Sequence, residues 1–163
     1  MKALGIDPGK TGGLAIVDYL DGKYNLISFI PMPLAGNDVA FGTIAEYLYD
    51  YAVDDCIIAG IEDVHAMPGQ GVTSMFKFGF VTGGIHGILA TLEIQTYKIS
   101  PQKWKKSILD GTDKSKDAAI EWCNSIYPGV NLVPKGCKKA HSGMADAICI
   151  ASYTVKNYLI STL

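Results

Sequence analysis

The order of the apolar segments constrains the fold of this chain of 163 residues more than any other feature. Three short strand-like segments come first, followed by a helix, a strand, a second helix, a fifth strand and a group of helices. Strands joined by a tight turn run antiparallel, whereas parallel strands need a longer crossover such as a helix. The order therefore predicts an α/β domain in which helices flank a central mixed sheet of five strands.

Hydrophobic periodicity and turn residues set the boundaries of these elements. The predicted strands are Lys2–Ile6, Gly12–Tyr19, Tyr24–Ile30, Cys56–Ile61 and Thr96–Ile99. The predicted helices are Asp38–Tyr51, Val72–Leu92, Pro101–Leu109, Ser115–Ile126 and Gly143–Leu159. Three meandering strands followed by this alternation are typical of the RNase H-like fold, here expected as one domain over residues 1–163.

Three carboxylates stand in apolar surroundings. Asp7 ends the first strand, Glu62 ends the Ile-rich strand, and Asp146 lies near the start of the last helix. Burying an unpaired charge is costly, yet the chain has no arginine and no lysine lies beside Glu62 or Asp146. The three acids are either surface and turn residues or ligands of a divalent cation. Oxygen ligands favour Mg²⁺, with Mn²⁺ as a substitute, and we predict that site.

The net charge of −2 hides an uneven distribution. The first 97 residues hold four lysines against eleven acids, whereas residues 98–139 hold nine lysines against four. This asymmetry predicts a basic face beside an acidic site. We assign Lys105, Lys106, Lys114 and Lys116 to backbone phosphates of DNA, and we expect Trp104 among them to be packed in the core.

Several classes of protein are disfavoured. The apolar stretches are too short to span a bilayer, and the start shows no secretory pattern, so we expect a soluble, cytoplasmic protein. The four cysteines form no C-x-x-C pair, and Cys137 with His141 does not complete a zinc site. The segment from Asp7 to Gly12 is similar to the phosphate loop of actin-like ATPases and sugar kinases, but those need two such domains. Gly5 is also misplaced for a P-loop, so we expect no nucleotide cofactor.

Four segments together resemble the RuvC-type Holliday junction resolvases: Gly5-Ile6-Asp7-Pro8-Gly9, Ile61-Glu62-Asp63-Val64, Ser100-Pro101-x-x-Trp104-Lys105-Lys106 and Ala145-Asp146-Ala147. The stretch from His141 to Ala147 looks most similar to the phage-borne branch. The resemblance implies a homodimer that cuts two opposed strands of branched DNA by two-metal hydrolysis. Asp7 would bridge the two ions, with Glu62 and Asp146 as the other catalytic ligands.

The chain departs from this family at one metal ligand. Members have an acid or a histidine three or four residues before the helix carboxylate, where this chain has Gly143 and Ser142. Ser142 is a good N-cap residue. We assign the fourth ligand position to His141, with Asp63 or a water held by Ser142 as alternatives. A non-catalytic module that binds branched DNA is therefore the second hypothesis.

Two further roles follow from the resemblance and from the helix Val72–Leu92. His65 stands where the family often places an aromatic residue that enters the junction, a role that Met67 and Phe76 could share; the alternative is an ordinary loop histidine. The helix has more apolar residues than one core face requires. Its glycines, among them Gly83 and Gly84, permit close approach, so we expect it to form the dimer interface.

Overall fold

The computed structural model describes residues 2–54, 57–65, 69–112, 115 and 117–159. Its strands are β1 (Lys2–Asp7), β2 (Gly13–Leu20), β3 (Lys23–Pro31), β4 (Leu34–Ala35), β5 (Asp38–Val39), β6 (Ile57–Glu62) and β7 (Gln95–Ile99). Five of them form one sheet in the order β3-β2-β1-β6-β7. β2 is antiparallel to β1 and β3, while β1, β6 and β7 run parallel. The predicted five-stranded mixed sheet is confirmed.

In the described part of the chain, five helices and a π-helical turn accompany the sheet. They are α1 (Phe41–Asp54), α2 (Val72–Thr91), α3 (Pro101–Ile108), α4 (Ala118–Ile126), α5 (Ser142–Thr154) and the π turn Val155–Leu159. Most predicted boundaries agree to within three residues. Within the described ranges, no helix is long and apolar enough to cross a membrane.

The prediction that a helix begins at Asp38 is wrong. Leu34–Ala35 instead pairs with Asp38–Val39 across a two-residue turn, in which Gly36 has a φ of +61°. A Gly-Asn dipeptide between short strands is a known signal for such a hairpin. The backbone of Asp38 and Val39 is used in this hairpin, so α1 begins only at Phe41.

The helices cover the two faces of the sheet with different partners. On one face, Leu4 and Ile6 of β1 pack with Ile44 of α1 and Ile85 of α2. On the other face, Ala3 packs with Ala151 of α5. Side chains alternate along a strand, so Gly5 and Asp7 lie on the same side as Ala3. β6 repeats the pattern, since Ala59 and Ile61 belong to the α1–α2 face.

Helix α5 approaches the sheet closely because glycines line its path. A Cβ on Gly5 would collide with the backbone of Ala147 and Ala151, and one on Gly60 would collide with Thr154. Gly5 and Gly60 are neighbours in the β1–β6 register. The N-terminus of α5 is equally close, since a Cβ on Gly143 would meet the backbone of Thr11 and Gly12. These glycines let α5 lie directly on the strands, which fixes the height of its first turns above the ends of β1 and β6.

Candidate active site

Strand register brings two of the predicted carboxylates together. β1 and β6 are parallel, with Gly5 opposite Gly60 and Ile6 opposite Ile61. The next position along each strand is Asp7 and Glu62, at the same end of the sheet. Because side chains alternate, both point to the face covered by α5.

Helix α5 supplies the third carboxylate. Asp146 is half-buried among residues 143–154, whose other members are all buried. Its negative charge acts on Asp7, as does that of Glu62. The structure therefore brings the three predicted residues Asp7, Glu62 and Asp146 into one electrostatic cluster.

The cluster is electrostatically unfavourable when no cation is bound. The pKa of Asp7 is raised to about 8, first by burial and then by the negative charges of Glu62 and Asp146. The pKa of Asp146 is raised to about 6, again mainly by burial, with Glu62 adding to the rise. Groups whose pKa values are shifted in this way by burial and by like charges are frequent in functional sites.

A lysine lies close to the cluster. The expectation that the three acids have no basic side chain nearby, which was based on their neighbours in sequence, is therefore wrong. The positive charge of Lys105 lowers the pKa of both Asp7 and Asp146 against the effect of burial. Its Nζ lies 5.2 Å from the centre of the Trp104 ring. Lys105 comes from α3, which is distant in sequence from all three acids, so adjacency along the chain could not reveal it.

Trp104 is a site residue whose contact the sequence did not reveal. It is fully buried, as predicted for a core side chain. Its indole Nε1 also donates a hydrogen bond of 2.8 Å to Oε1 of Glu62. A buried indole N–H needs an acceptor, and this requirement is the only sequence signal that could have suggested the pairing.

The N-cap of α5 is His141, not Ser142 as predicted. Nδ1 of His141 accepts a hydrogen bond of 3.2 Å from the backbone N–H of Met144. Burial lowers the pKa of His141, which favours the neutral ring that such an acceptor requires. A neutral imidazole that accepts at Nδ1 has its proton on Nε2. Metal coordination through Nε2 would require the other tautomer and the loss of the cap, so the ligand role of His141 stays a prediction.

The other predicted residues near the site lie in varied surroundings. His65 is 77 % exposed, and its Nε2 lies 3.2 Å from Oδ2 of Asp63. Phe76 is 75 % exposed on the outer side of α2. Both positions are open to a ligand, but the insertion of His65 into a junction stays a prediction. Met67, which was to share that role, lies outside the described residues.

Two of the four predicted phosphate-binding lysines lie beside the cluster. Lys105 and Lys106 line a groove of about 950 Å³ that also contains Ser142 and Asp146. The groove therefore joins lysines to one of the carboxylates. Lys114 and Lys116 lie outside the described residues.

The sheet order and the helix packing match known structures. The chain aligns with Thermus thermophilus RuvC in complex with a Holliday junction substrate at a TM-score of 0.72 and 19 % identity, over 99 % of this chain and 97 % of that one. It aligns with the fowlpox virus resolvase bound to Holliday junction DNA at 0.53 and 15 %, over 94 % and 98 %. The yeast mitochondrial Holliday junction resolvase Ydc2 gives 0.51 and 14 %, over 96 % and 80 %.

The chain has the RuvC fold. The likeness in structure covers almost the whole chain, and the predicted RNase H-like architecture is thereby confirmed. At the level of sequence alone, no protein family and no curated protein matches the chain. The phage-borne branch stays a prediction.

The carboxylate oxygens of Asp7, Glu62 and Asp146 are ligands that suit a hard divalent cation, although the three side chains do not surround a single point. Among the residues that the structure describes, no three His, Cys, Asp or Glu side chains form a group that could hold a metal ion. This argues against one ion held by three side chains at once. It is compatible with ions held by two carboxylates each and completed by water, as is common for Mg²⁺. A bound cation would relieve the unfavourable effect of Glu62 and Asp146 on the charge of Asp7.

The raised pKa of Asp7 predicts how the metal-free protein responds to pH. The pKa rises from 3.8 to about 8 on folding, so between these values the native state holds a proton that the unfolded chain has released. The corresponding stability is fully present below pH 4 and is lost as the pH rises through 8. In EDTA, the melting temperature of Asp7→Asn should therefore exceed that of the wild type at pH 8.5. A shift of about four pKa units corresponds to at most about 5 kcal/mol, or roughly 10–20 °C in a chain of this size.

The measurement is thermal unfolding followed by circular dichroism between pH 5 and pH 8.5. Asp50→Asn, an exposed acid on α1, is the control and should keep the pH dependence of the wild type. If the difference in melting temperature between Asp7→Asn and the wild type stays constant between pH 5 and pH 8.5, the Asp7 pKa is not raised.

Proposed function

We propose that this protein is a metal-dependent endonuclease that resolves four-way DNA junctions or related branched DNA. The observation that carries the proposal is the cluster of Asp7, Glu62 and Asp146 at one end of the sheet, where burial and neighbouring negative charges raise the pKa of Asp7 and of Asp146. The substrate class is supported by two structures of the same fold that are complexes with Holliday junction DNA.

In the proposed mechanism, the three carboxylates hold and orient the reacting groups, and no nucleophilic side chain is needed. Asp7 would bridge two ions, with Glu62 on one side and Asp146 on the other. Bound Mg²⁺ supplies Lewis acidity toward the scissile phosphate and makes water a stronger nucleophile. Asp7 is largely buried, so its charge is poorly screened by water and attracts cations strongly.

The groove beside Asp146 is the proposed path of one DNA strand. Lys105 and Lys106 lie along it, and each can contact a backbone phosphate as a point charge. Lysine lacks the planar fork with which arginine reads guanine. The chain has no arginine, so we expect binding that depends on the shape of the DNA and on salt more than on base sequence.

A non-catalytic module that binds branched DNA is the second candidate. Two observations favour it: the three acids form no closed metal group, and Gly143, one of the two positions of the missing ligand, cannot accept a side chain. The α-carbon of Gly143 packs against the backbone of Thr11 and Gly12. An acid or histidine there would displace the loop between β1 and β2, so a fourth ligand would have to come from Ser142 or from outside these two positions.

Substituting the carboxylates separates the two candidates. Asp7→Asn, Glu62→Gln and Asp146→Asn should each lower Mg²⁺-dependent cleavage of a labelled four-way junction by more than the roughly 10- to 100-fold typical of outer-shell changes. Binding of the junction in EDTA should persist, because these variants remove negative charge only. Asp50→Asn should cut at the rate of the wild type. A wild-type protein that binds the junction yet never cuts it would favour the non-catalytic module, and normal turnover in a variant would exclude that residue.

A two-fold homodimer is the second part of the proposal, because two symmetric cuts require two carboxylate clusters. The outer side of α2 is apolar and open: Val72 is 85 % exposed and Phe80 is 64 % exposed. Gly79, Gly83 and Gly87 recur every fourth residue on that side, with open space at each α-carbon. An exposed apolar strip of this kind is typical of an interaction site. A second copy of α2 could approach the three glycines closely.

The structure changes which glycine tests this interface. The α-carbon of Gly84 faces the ring of Phe41 in the same chain, so a substitution there would disturb the fold itself. Gly83→Glu is the better variant, because it places a charge on the open strip. We expect it to be monomeric by light scattering and to nick junctions without making paired cuts.

Ser125→Glu, at an exposed position of α4, is the matched control and should stay dimeric. A wild-type protein that is monomeric with the junction bound would refute the dimer, and so would paired cutting by a Gly83→Glu monomer.

A further inference from the structure

We propose that Trp104 is a positioning residue for Glu62: its indole N–H fixes one carboxylate oxygen, so that the other is directed toward Asp7 and the bound cation. This inference deepens the proposed function and rests on it. Trp104 does not touch the substrate in this proposal, and it acts only through Glu62.

The hydrogen bond joins two residues that are 42 positions apart in sequence. Nε1 of Trp104 lies 2.8 Å from Oε1 of Glu62, a short distance for an N–H donor and typical of a charged acceptor. The indole has a single N–H, so this bond uses all of its donor capacity. A glutamate with one oxygen held in this way has Oε2 left for coordination.

The ring itself is held rigidly, which a positioning role requires. Trp104 is fully buried in the cluster that contains Ile99, Ile108 and Ile148. A side chain packed on all sides cannot easily change its rotamer. The position of the N–H is therefore set by the core between α3 and α5, the same layer that holds Asp146.

The backbone of Glu62 is fixed from the same direction. Glu62 is opposite Ile99 in the parallel β6–β7 register, and the N–H of Asp63 donates a bond of 2.8 Å to the carbonyl of Ile99. Helix α3 begins two residues after Ile99 and brings Trp104 above Glu62. The segment from Ile99 to Trp104 thus holds both the backbone and the carboxylate of Glu62.

The face of the same ring lies next to the positively charged side chain of Lys105. Lys105 lies 5.2 Å from the ring centre of Trp104, and its charge acts on Asp7 and Asp146. One aromatic side chain therefore orients Glu62 through its edge and supports Lys105 on its face. Carboxylate ligands are commonly oriented by such outer hydrogen bonds, whose loss typically costs about 10- to 100-fold in metal affinity.

The test is Trp104→Phe, which keeps an aromatic ring in the core but removes the N–H. We expect the dissociation constant for Mn²⁺, measured by calorimetry without DNA, to rise about tenfold. The Mg²⁺ concentration for half-maximal cleavage should rise in parallel, while junction binding in EDTA stays within about twofold of the wild type. Trp122→Phe is the control, since Trp122 contacts Tyr127 rather than any of the three acids, and it should leave the metal affinity unchanged.

A second variant covers the case in which Trp104→Phe does not fold. Glu62→Asp keeps the charge and the tryptophan but shortens the side chain by one methylene, so that its carboxylate no longer reaches the indole. We expect a similarly weakened Mn²⁺ affinity and an upfield shift of the Trp104 indole N–H resonance.

The possible results point in different directions. A folded Trp104→Phe with the Mn²⁺ affinity of the wild type would overturn the positioning role. If Trp104→Phe does not fold, unchanged Mn²⁺ affinity and an unmoved indole resonance in Glu62→Asp would overturn it. A wild-type protein that binds no Mn²⁺ at all would instead refute the proposed metal-dependent function, and the two failures are therefore distinct.

Discussion

The close contact between helix α5 and the two central parallel strands is the constraint on which the site depends. Gly5 and Gly60 lie side by side in the register, and neither could have a Cβ without colliding with α5 or its side chains. The helix thus rests on strand backbone, and Asp146 lies at the height of the strand ends. Larger side chains at Gly5 and Gly60 would move α5 away from the strands, increase the distance from Asp146 to Asp7 and weaken the electrostatic interaction between them.

The two-residue period of the strands decides which acids meet. Leu4, Ile6 and Ile61 point to the α1–α2 face, so Asp7 and Glu62, one position further along, must point to the α5 face. In the resulting cluster, burial and the charges of Glu62 and Asp146 disfavour the ionised form of Asp7 and raise its pKa to about 8. Such a cluster lowers the stability of the metal-free fold at neutral pH. Binding of a cation would offset that cost.

The local pattern of the sequence was enough to predict the sheet and the three carboxylates Asp7, Glu62 and Asp146. Alternation and turn residues placed Asp7 and Glu62 at strand ends because those signals act over a few residues. Contacts between distant segments could not be predicted in this way. The bond from Trp104 to Glu62, the approach of Lys105 and the contact of Gly84 with Phe41 all depend on how α2 and α3 pack. The cap of α5 was also predicted wrongly, because His141 competes with Ser142 for that position and only the backbone geometry decides between them.

The proposed function requires that Asp7 hold cations together with Glu62 and with Asp146. The most direct measurement is anomalous X-ray diffraction from crystals of the protein soaked in Mn²⁺. We expect anomalous peaks within coordination distance of Asp7, one shared with Glu62 and one shared with Asp146, roughly 4 Å apart. Crystals of the intact protein that show no peak at Asp7 at saturating Mn²⁺, or show manganese only elsewhere on the chain, would contradict it.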